Sequence, residues 1–211
     1  MPYKDRKDAG IFLCSLLTPY KNKKDIMVLA LPRGGVVVGY EIAKALNCPF
    51  DIIIVRKIGF PDNPELAIGA ISETGIVVLN EGIISTYGIS EGYIEKEITN
   101  QKKEILRRID LYRRGKGISP LDGKIIILVD DGVATGATIK AAISTLKKEK
   151  ISRLIVALPV SPEDTAEDIK KMVDEFICPE IPEWFMAVGN YYEDFTQVSD
   201  EEVVEILTRK I

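Results

Sequence analysis

The sequence predicts an α/β fold, with a parallel sheet of about five strands flanked by helices. Three observations carry this expectation. Short, continuous apolar runs of strand length recur along the chain. Segments with apolar residues at helical spacing lie between them. A strand apolar on both faces is what a parallel sheet covered by helices requires. At 211 residues, 46% hydrophobic and 28% charged, the chain suits a single domain with a sizeable insertion.

Residues 5–18 read as a leading helix, with Ala9, Phe12, Leu13, Leu16 and Leu17 on one face and Pro19 stopping it. Ile26 to Leu31 is the first strand, closed by Pro32-Arg33-Gly34-Gly35. Gly39, Ile42, Ala43 and Leu46 then mark a helix. Asp51 to Val55 is a second strand, so the chain opens as a βαβ unit. Residues 59–80 carry turn signals and alternating stretches and read as a hairpin-like excursion. A long helix over about 90–112 follows, since Ile94, Ile98, Ile105, Ile109 and Tyr112 form one stripe among charges. Lys124 to Val129 and Leu154 to Leu158 are the third and fourth strands. The stripe Ile139, Ala142, Ile143 and Leu146 marks a helix between them, residues 162–174 another, and Glu175 to Cys178 a fifth strand.

Composition narrows the chemistry. The 28 Lys+Arg against 32 Asp+Glu give a formal charge of -4, with no basic tail for a nucleic-acid backbone. Three widely spaced cysteines, Cys14, Cys48 and Cys178, suggest neither a disulfide framework nor a Cys-x-x-Cys site. No run approaches the ~18 apolar residues of a membrane span, and the start lacks a signal peptide's apolar core. A soluble, cytoplasmic protein is expected, without nucleic-acid or membrane partners. The chain has no histidine. That removes Ser-His-Asp triads, Cys-His dyads and His-based zinc sites, and leaves carboxylates, Lys, Arg, hydroxyls, backbone amides or a hard metal ion.

The sharpest constellation runs from Ile126 to Thr138, where a strand ends in Asp130-Asp131-Gly132 and Ala134-Thr135-Gly136-Ala137-Thr138 opens a helix. In open α/β sheets that carboxyl edge is where ligands bind. Small residues, two hydroxyls and a glycine let backbone amides at a helix N-terminus approach an anion. Adjacent carboxylates can accept from vicinal hydroxyls and hold Mg²⁺ directly or through water. Together they describe a site for a sugar phosphate. A capped turn alone accounts for Thr135 or Thr138 but not for two acids beside a glycine-rich loop. Neither Gly-x-x-x-x-Gly-Lys-[Ser/Thr] nor Gly-x-Gly-x-x-Gly occurs.

This segment resembles the thirteen-residue signature of the type I phosphoribosyltransferases, which use 5-phosphoribosyl-1-pyrophosphate (PRPP). The resemblance implies that Asp130 and Asp131 contact the ribose hydroxyls, with Mg²⁺ nearby, and that Ala134, Thr135, Gly136, Ala137 and Thr138 bind the 5-phosphate. It implies a pyrophosphate loop at Arg33, Gly34 and Gly35, with a cis peptide at Pro32-Arg33, and a pyrophosphate role for the pair Arg56-Lys57. A plain turn and a solvated charge pair are the alternatives for these two. Ile181 to Gly189 resembles the hood of 6-oxopurine phosphoribosyltransferases, which places Phe185, with Trp184 beside it, to stack on a base; core packing is the other reading.

Over its whole length the chain resembles stand-alone bacterial and archaeal members of the family, through Arg56-Lys57-Ile58-Gly59, Asn63-Pro64-Glu65, Leu79-Asn80 and Tyr192-Glu193-Asp194-Phe195. Two departures weaken a purine assignment. Ala134 stands where purine enzymes carry an aspartate, and Ala157-Leu158-Pro159 where they carry a lysine. No proton acceptor is identified, and no catalytic residue is assigned.

The expectation is a type I phosphoribosyltransferase-like domain over 1–211. Residues 59–118 form a covering insertion, and 1–20 with 179–211 form a small hood and tail. It transfers a 5-phosphoribosyl group from PRPP to a nitrogenous, purine-like base with Mg²⁺ and releases pyrophosphate; a homodimer is expected. The alternative is a PRPP or nucleotide sensor without chemistry. A phosphoacceptor receiver domain leaves the Thr-Gly-Ala-Thr loop without a purpose.

Overall fold

The computed structural model describes residues 2–61 and 63–211, with backbone alone at 64–66; the side chains of Pro64 and Glu65 therefore lie outside the described residues. In chain order the first elements are α1 (Arg6–Leu16), β1 (Ile26–Ala30), α2 (Gly34–Leu46), β2 (Phe50–Ile52), β3 (Val55–Phe60), β4 (Asn63–Ser72) and β5 (Val77–Leu79). They are followed by α3 (Glu81–Tyr87), α4 (Glu91–Arg113), β6 (Ile125–Val129), α5 (Ala137–Leu146), β7 (Arg153–Ala157), α6 (Glu163–Met172), β8 (Glu175–Ile177) and α7 (Asp200–Thr208).

Five strands form a parallel sheet in the order β2-β1-β6-β7-β8. All five residues of β1 are buried, as its unbroken apolarity demands. Leu13, Val38, Ile42 and Leu46 from α1 and α2 cover one face, against Val28 and Ile127. Ile139, Ile143 and Ile169 from α5 and α6 cover the other, against Leu29, Leu128 and Val156. The carboxyl ends of β1 and β6 are thus held side by side, with Ala30 opposite Val129.

Asp51 to Val55 is not one strand. The parallel strand stops at Ile52, and Val55 begins β3 of a separate antiparallel sheet, β3-β4-β5. Ile52, Ile53, Ile54 and Val55 are all buried, so apolarity continues while the chain changes sheets. Arg56 and Lys57 consequently sit at the start of β3 rather than at the end of the parallel strand. The excursion is longer and more regular than a hairpin, with a ten-residue β4 paired on both sides.

Helix α4 starts at the cap Ser90, whose side chain accepts from Tyr93 N–H, and buries Ile94, Ile105 and Tyr112. Its far end is fixed by charge. Arg113 pairs with Glu73 and approaches Asp51 (Nη1 to Oδ1 3.4 Å), all three side chains being nearly inaccessible.

The N-terminal and C-terminal segments also join. Tyr3 N–H donates to the Tyr191 carbonyl, and Glu193 N–H to that of Tyr3, both at 2.8 Å. The cysteines are free, and burial pushes the thiols of Cys14 and Cys48 up to about 11 and that of Cys178 to about 12. Among the described residues, no helix is long and apolar enough to cross a membrane.

Candidate functional site

The loop after β6 is where the sequence places an anion cradle. Gly136 adopts a left-handed conformation (φ +69°), and a Cβ there would come 2.7 Å from Thr165 Cγ2. Helix α5 starts at Ala137 after Gly136, which has no side chain to cap it; the Ala137 N–H reaches only the Thr135 hydroxyl, at 3.4 Å. Buried Thr165 of α6 donates to the Ala134 carbonyl at 2.9 Å and holds the loop from beneath. A cavity of about 230 Å³ is lined by residues 132–139 together with Asp130 and Lys57.

The two acids occupy different environments. The Asp130 carboxylate accepts the Asp131 N–H at 2.9 Å. Burial, with the neighbouring Asp131 charge second, pushes the Asp130 carboxyl well above the usual carboxylate range. Asp131 instead faces Arg6, whose Nε is 2.6 Å from Oδ2. Arg6 Nη1 donates to the Thr196 carbonyl at 2.7 Å, and its guanidinium lies 3.9 Å from the Phe195 ring centre. The Tyr192 hydroxyl donates to the Asp131 backbone carbonyl at 2.6 Å. Burial, then the Asp131 charge, raises the Tyr192 pKa, which keeps this hydroxyl protonated and donating.

The loop after β1 folds against the same acids. The Pro32–Arg33 peptide is cis, as the resemblance implies. A Cβ on Gly34 would overlap the Asp131 carboxylate, and one on Gly35 would lie 2.8 Å from Asp130 Cα and 2.9 Å from the Val129 carbonyl oxygen. Only glycine lets the two strand ends approach this closely. The Arg33 guanidinium turns toward α7, 3.7 Å from Asp200.

A second cavity, of about 350 Å³, contains Pro32, Arg56, Lys57 and Thr138. Lys57 and Thr138 line both cavities. The structure therefore unites Asp130, the 134–138 loop, Lys57 and Arg56 along one edge, with Gly34, Gly35 and Asp131 packed beside it. Trp184 and Phe185 line neither cavity. Trp184 is 84% exposed. Phe185 stacks on Tyr191, with ring centres 5.8 Å apart.

Among the described residues no group of three or more Asp, Glu, Cys or His could hold a metal ion. A dedicated protein cage is therefore not what this site offers. Two adjacent carboxylates do fit a Mg²⁺ that keeps waters and substrate oxygens as its other ligands.

A parallel sheet in this order, flanked by helices and joined by a small antiparallel sheet, is the fold of type I phosphoribosyltransferases. Residues 8–196 match the phosphoribosyl transferase domain model, and the chain belongs to that family. Two proteins from strains of Mycobacterium tuberculosis, both named provisionally as phosphoribosyl transferases, are 42% identical to it over 207 residues. The match covers 98% of this chain but 46% of theirs, so the chain spans about half the length of the curated relatives it matches. The crystal structure of TT1426 from Thermus thermophilus is 40% identical, with a TM-score of 0.88 over 98% of each chain. A hypothetical protein from Neisseria gonorrhoeae solved with bound ppGpp shares the fold alone, at 12% identity and a TM-score of 0.53 over 98% of this chain and 97% of its own.

Proposed function

We propose that the protein transfers a 5-phosphoribosyl group from PRPP to a nitrogenous base. The observation that carries this is the shared cavity edge, where Asp130 stands beside a helix N-terminus opened by Gly136 at the carboxyl end of a parallel sheet. On this reading the 134–138 loop binds the 5-phosphate and Asp130 and Asp131 take the ribose hydroxyls. The backbone at Arg33, Gly34 and Gly35, with Arg56 and Lys57, takes the diphosphate. Trp184 and Phe185 are the candidates to flank a purine-like base.

Asp130 and Asp131 would hold Mg²⁺ through one carboxylate oxygen or water, and the ion would neutralise charge on the departing diphosphate. The reaction breaks the bond from ribose C1 to the diphosphate oxygen and forms a bond from C1 to a base nitrogen. No side chain is assigned to receive the proton of the base. Positioning by loop and acids, with cations set where charge develops, supplies the catalysis. Residues 59–118 are proposed to cover the site and exclude water, and a homodimer is the proposed assembly.

Ala134 supports a second reading, a PRPP-binding sensor, because the loop lacks an acid there. Incubation with PRPP, Mg²⁺ and a panel of purine and pyrimidine bases, with pyrophosphate release measured, separates the two. Base-dependent release is the expected result. PRPP binding without turnover on any base would select the sensor.

A further inference from the structure

The cavity between β3, α4 and α5 is lined by three cationic side chains, Arg56, Lys57 and Arg108, and by one carboxylate, Glu97, which accepts from Gln101 Nε2 at 2.6 Å. Arg56 makes no ion pair among the described residues; its Nε donates to the neutral amide oxygen of Gln101 at 2.8 Å. Burial, and then the charge of Arg108, lowers the basicity of Arg56, while the Glu104 and Glu97 carboxylates act in the opposite sense. Arg108 lines the same cavity from α4. Its partner Glu104 is divided: one carboxylate accepts from Arg108 Nε at 2.8 Å and from Arg107 at 2.8 and 3.0 Å. Hydrogen bonds from Arg107 and Arg108 hold Glu104 down at about 2, so it is permanently ionised and fully engaged.

Two arginines that line one recess, one of them bonded only to an amide, can both donate to an anion held there. Arg56 uses only Nε within the described structure, which leaves its terminal nitrogens to donate to a ligand. The recess also opens onto the phosphate loop, since Thr138 and Lys57 border both cavities. A ligand lying along this edge would place one phosphate at the 134–138 loop and a second anionic group at Arg56.

We propose that α4 supplies Arg108 as a further phosphate-binding residue, closing a diphosphate clamp with Arg56 and Lys57, and that Gln101 is the positioning residue that aims Arg56. The proposal rests on the phosphoribosyl reading above. It gives the intervening segment a binding role through α4 itself.

The test is calorimetric titration of the full chain with inorganic pyrophosphate and, separately, with ribose 5-phosphate, both with Mg²⁺. Arg108→Ala is expected to weaken pyrophosphate binding by about 10- to 100-fold, the usual worth of a charged hydrogen bond, and to change ribose 5-phosphate affinity less than about twofold. Arg108→Lys should recover part of the loss. The fold is expected to survive, because Arg107 still engages Glu104. Unchanged pyrophosphate affinity in Arg108→Ala would overturn the inference alone. So would a wild-type chain that binds ribose 5-phosphate but not pyrophosphate. A wild-type chain that binds neither overturns the phosphoribosyl reading as well.

Discussion

Arg6 Nε lies 2.6 Å from Asp131 Oδ2, tying the first turn of the first helix to the end of the third parallel strand, 125 residues away. The pair is largely shielded, with side chains 10% and 16% exposed, and the Thr196 carbonyl and Phe195 ring complete the guanidinium's surroundings. Arg6→Ala leaves Asp131 without its partner and removes a stacked side chain. It should cost about 2–4 kcal/mol in urea unfolding. Arg6→Lys should recover little of this, because an ammonium cannot pair and stack in the planar geometry of a guanidinium.

The raised pKa of Asp130 makes a signed prediction. A carboxyl whose folded pKa exceeds its unfolded value binds more protons when folded, so its contribution to stability falls as pH rises between the two. Asp130→Asn should therefore raise the melting temperature near pH 7. The gain should fade toward about pH 4, the unfolded range of an aspartate. Melting curves across this window check it. A loss of PRPP affinity alongside the stability gain would mark a residue kept for binding.

At Gly35 the limit is space. A Cβ would meet the backbone of Asp130 and Val129, atoms that cannot swing away as a side-chain tip could. Gly35→Ala should destabilise by about 1–3 kcal/mol. It should also lower PRPP affinity by displacing the acids. Paired thermal melts and ligand titrations measure the two effects.

Arg113 serves two buried acids, Asp51 and Glu73, which Arg113→Met would leave uncompensated. The expected cost is about 3–5 kcal/mol at neutral pH. Arg113→Lys, which keeps the charge but not the planar fork, should recover part of the loss. Urea unfolding of the two variants against the wild-type chain gives the comparison.

These charges also mark where the sequence stops being legible. Strands β1, β6 and β7 and the stripe on α4 were readable because apolar runs and spacing report burial directly. The loop 134–138 and the glycines after β1 were readable because glycine stands where space is shortest: Gly34 and Gly35 against Asp131 and Asp130, Gly136 against Thr165. The run Asp51 to Val55 misled, since apolarity reports burial and not which sheet a strand joins. Arg6 and Arg113 gave no local signal. A charged residue in a helix reads as solvated, and its burial depends on acids far away in the chain. Thr165 was equally silent, because its role rests on the Ala134 carbonyl 31 residues away. Tyr192 and Phe195 fell in a stretch marked only by resemblance. The structure places them against Asp131 and Arg6.

The most direct test of the account is a calorimetric titration of Mg²⁺-PRPP into the full chain, compared with the double variant Asp130→Asn/Asp131→Asn. The wild-type chain is predicted to bind PRPP. The double variant should bind it at least about tenfold more weakly while remaining folded, because two charge-assisted contacts to the ribose hydroxyls are weakened. Equal affinity in the two proteins, or no binding by the wild type, would contradict the placement of the ribose at these acids.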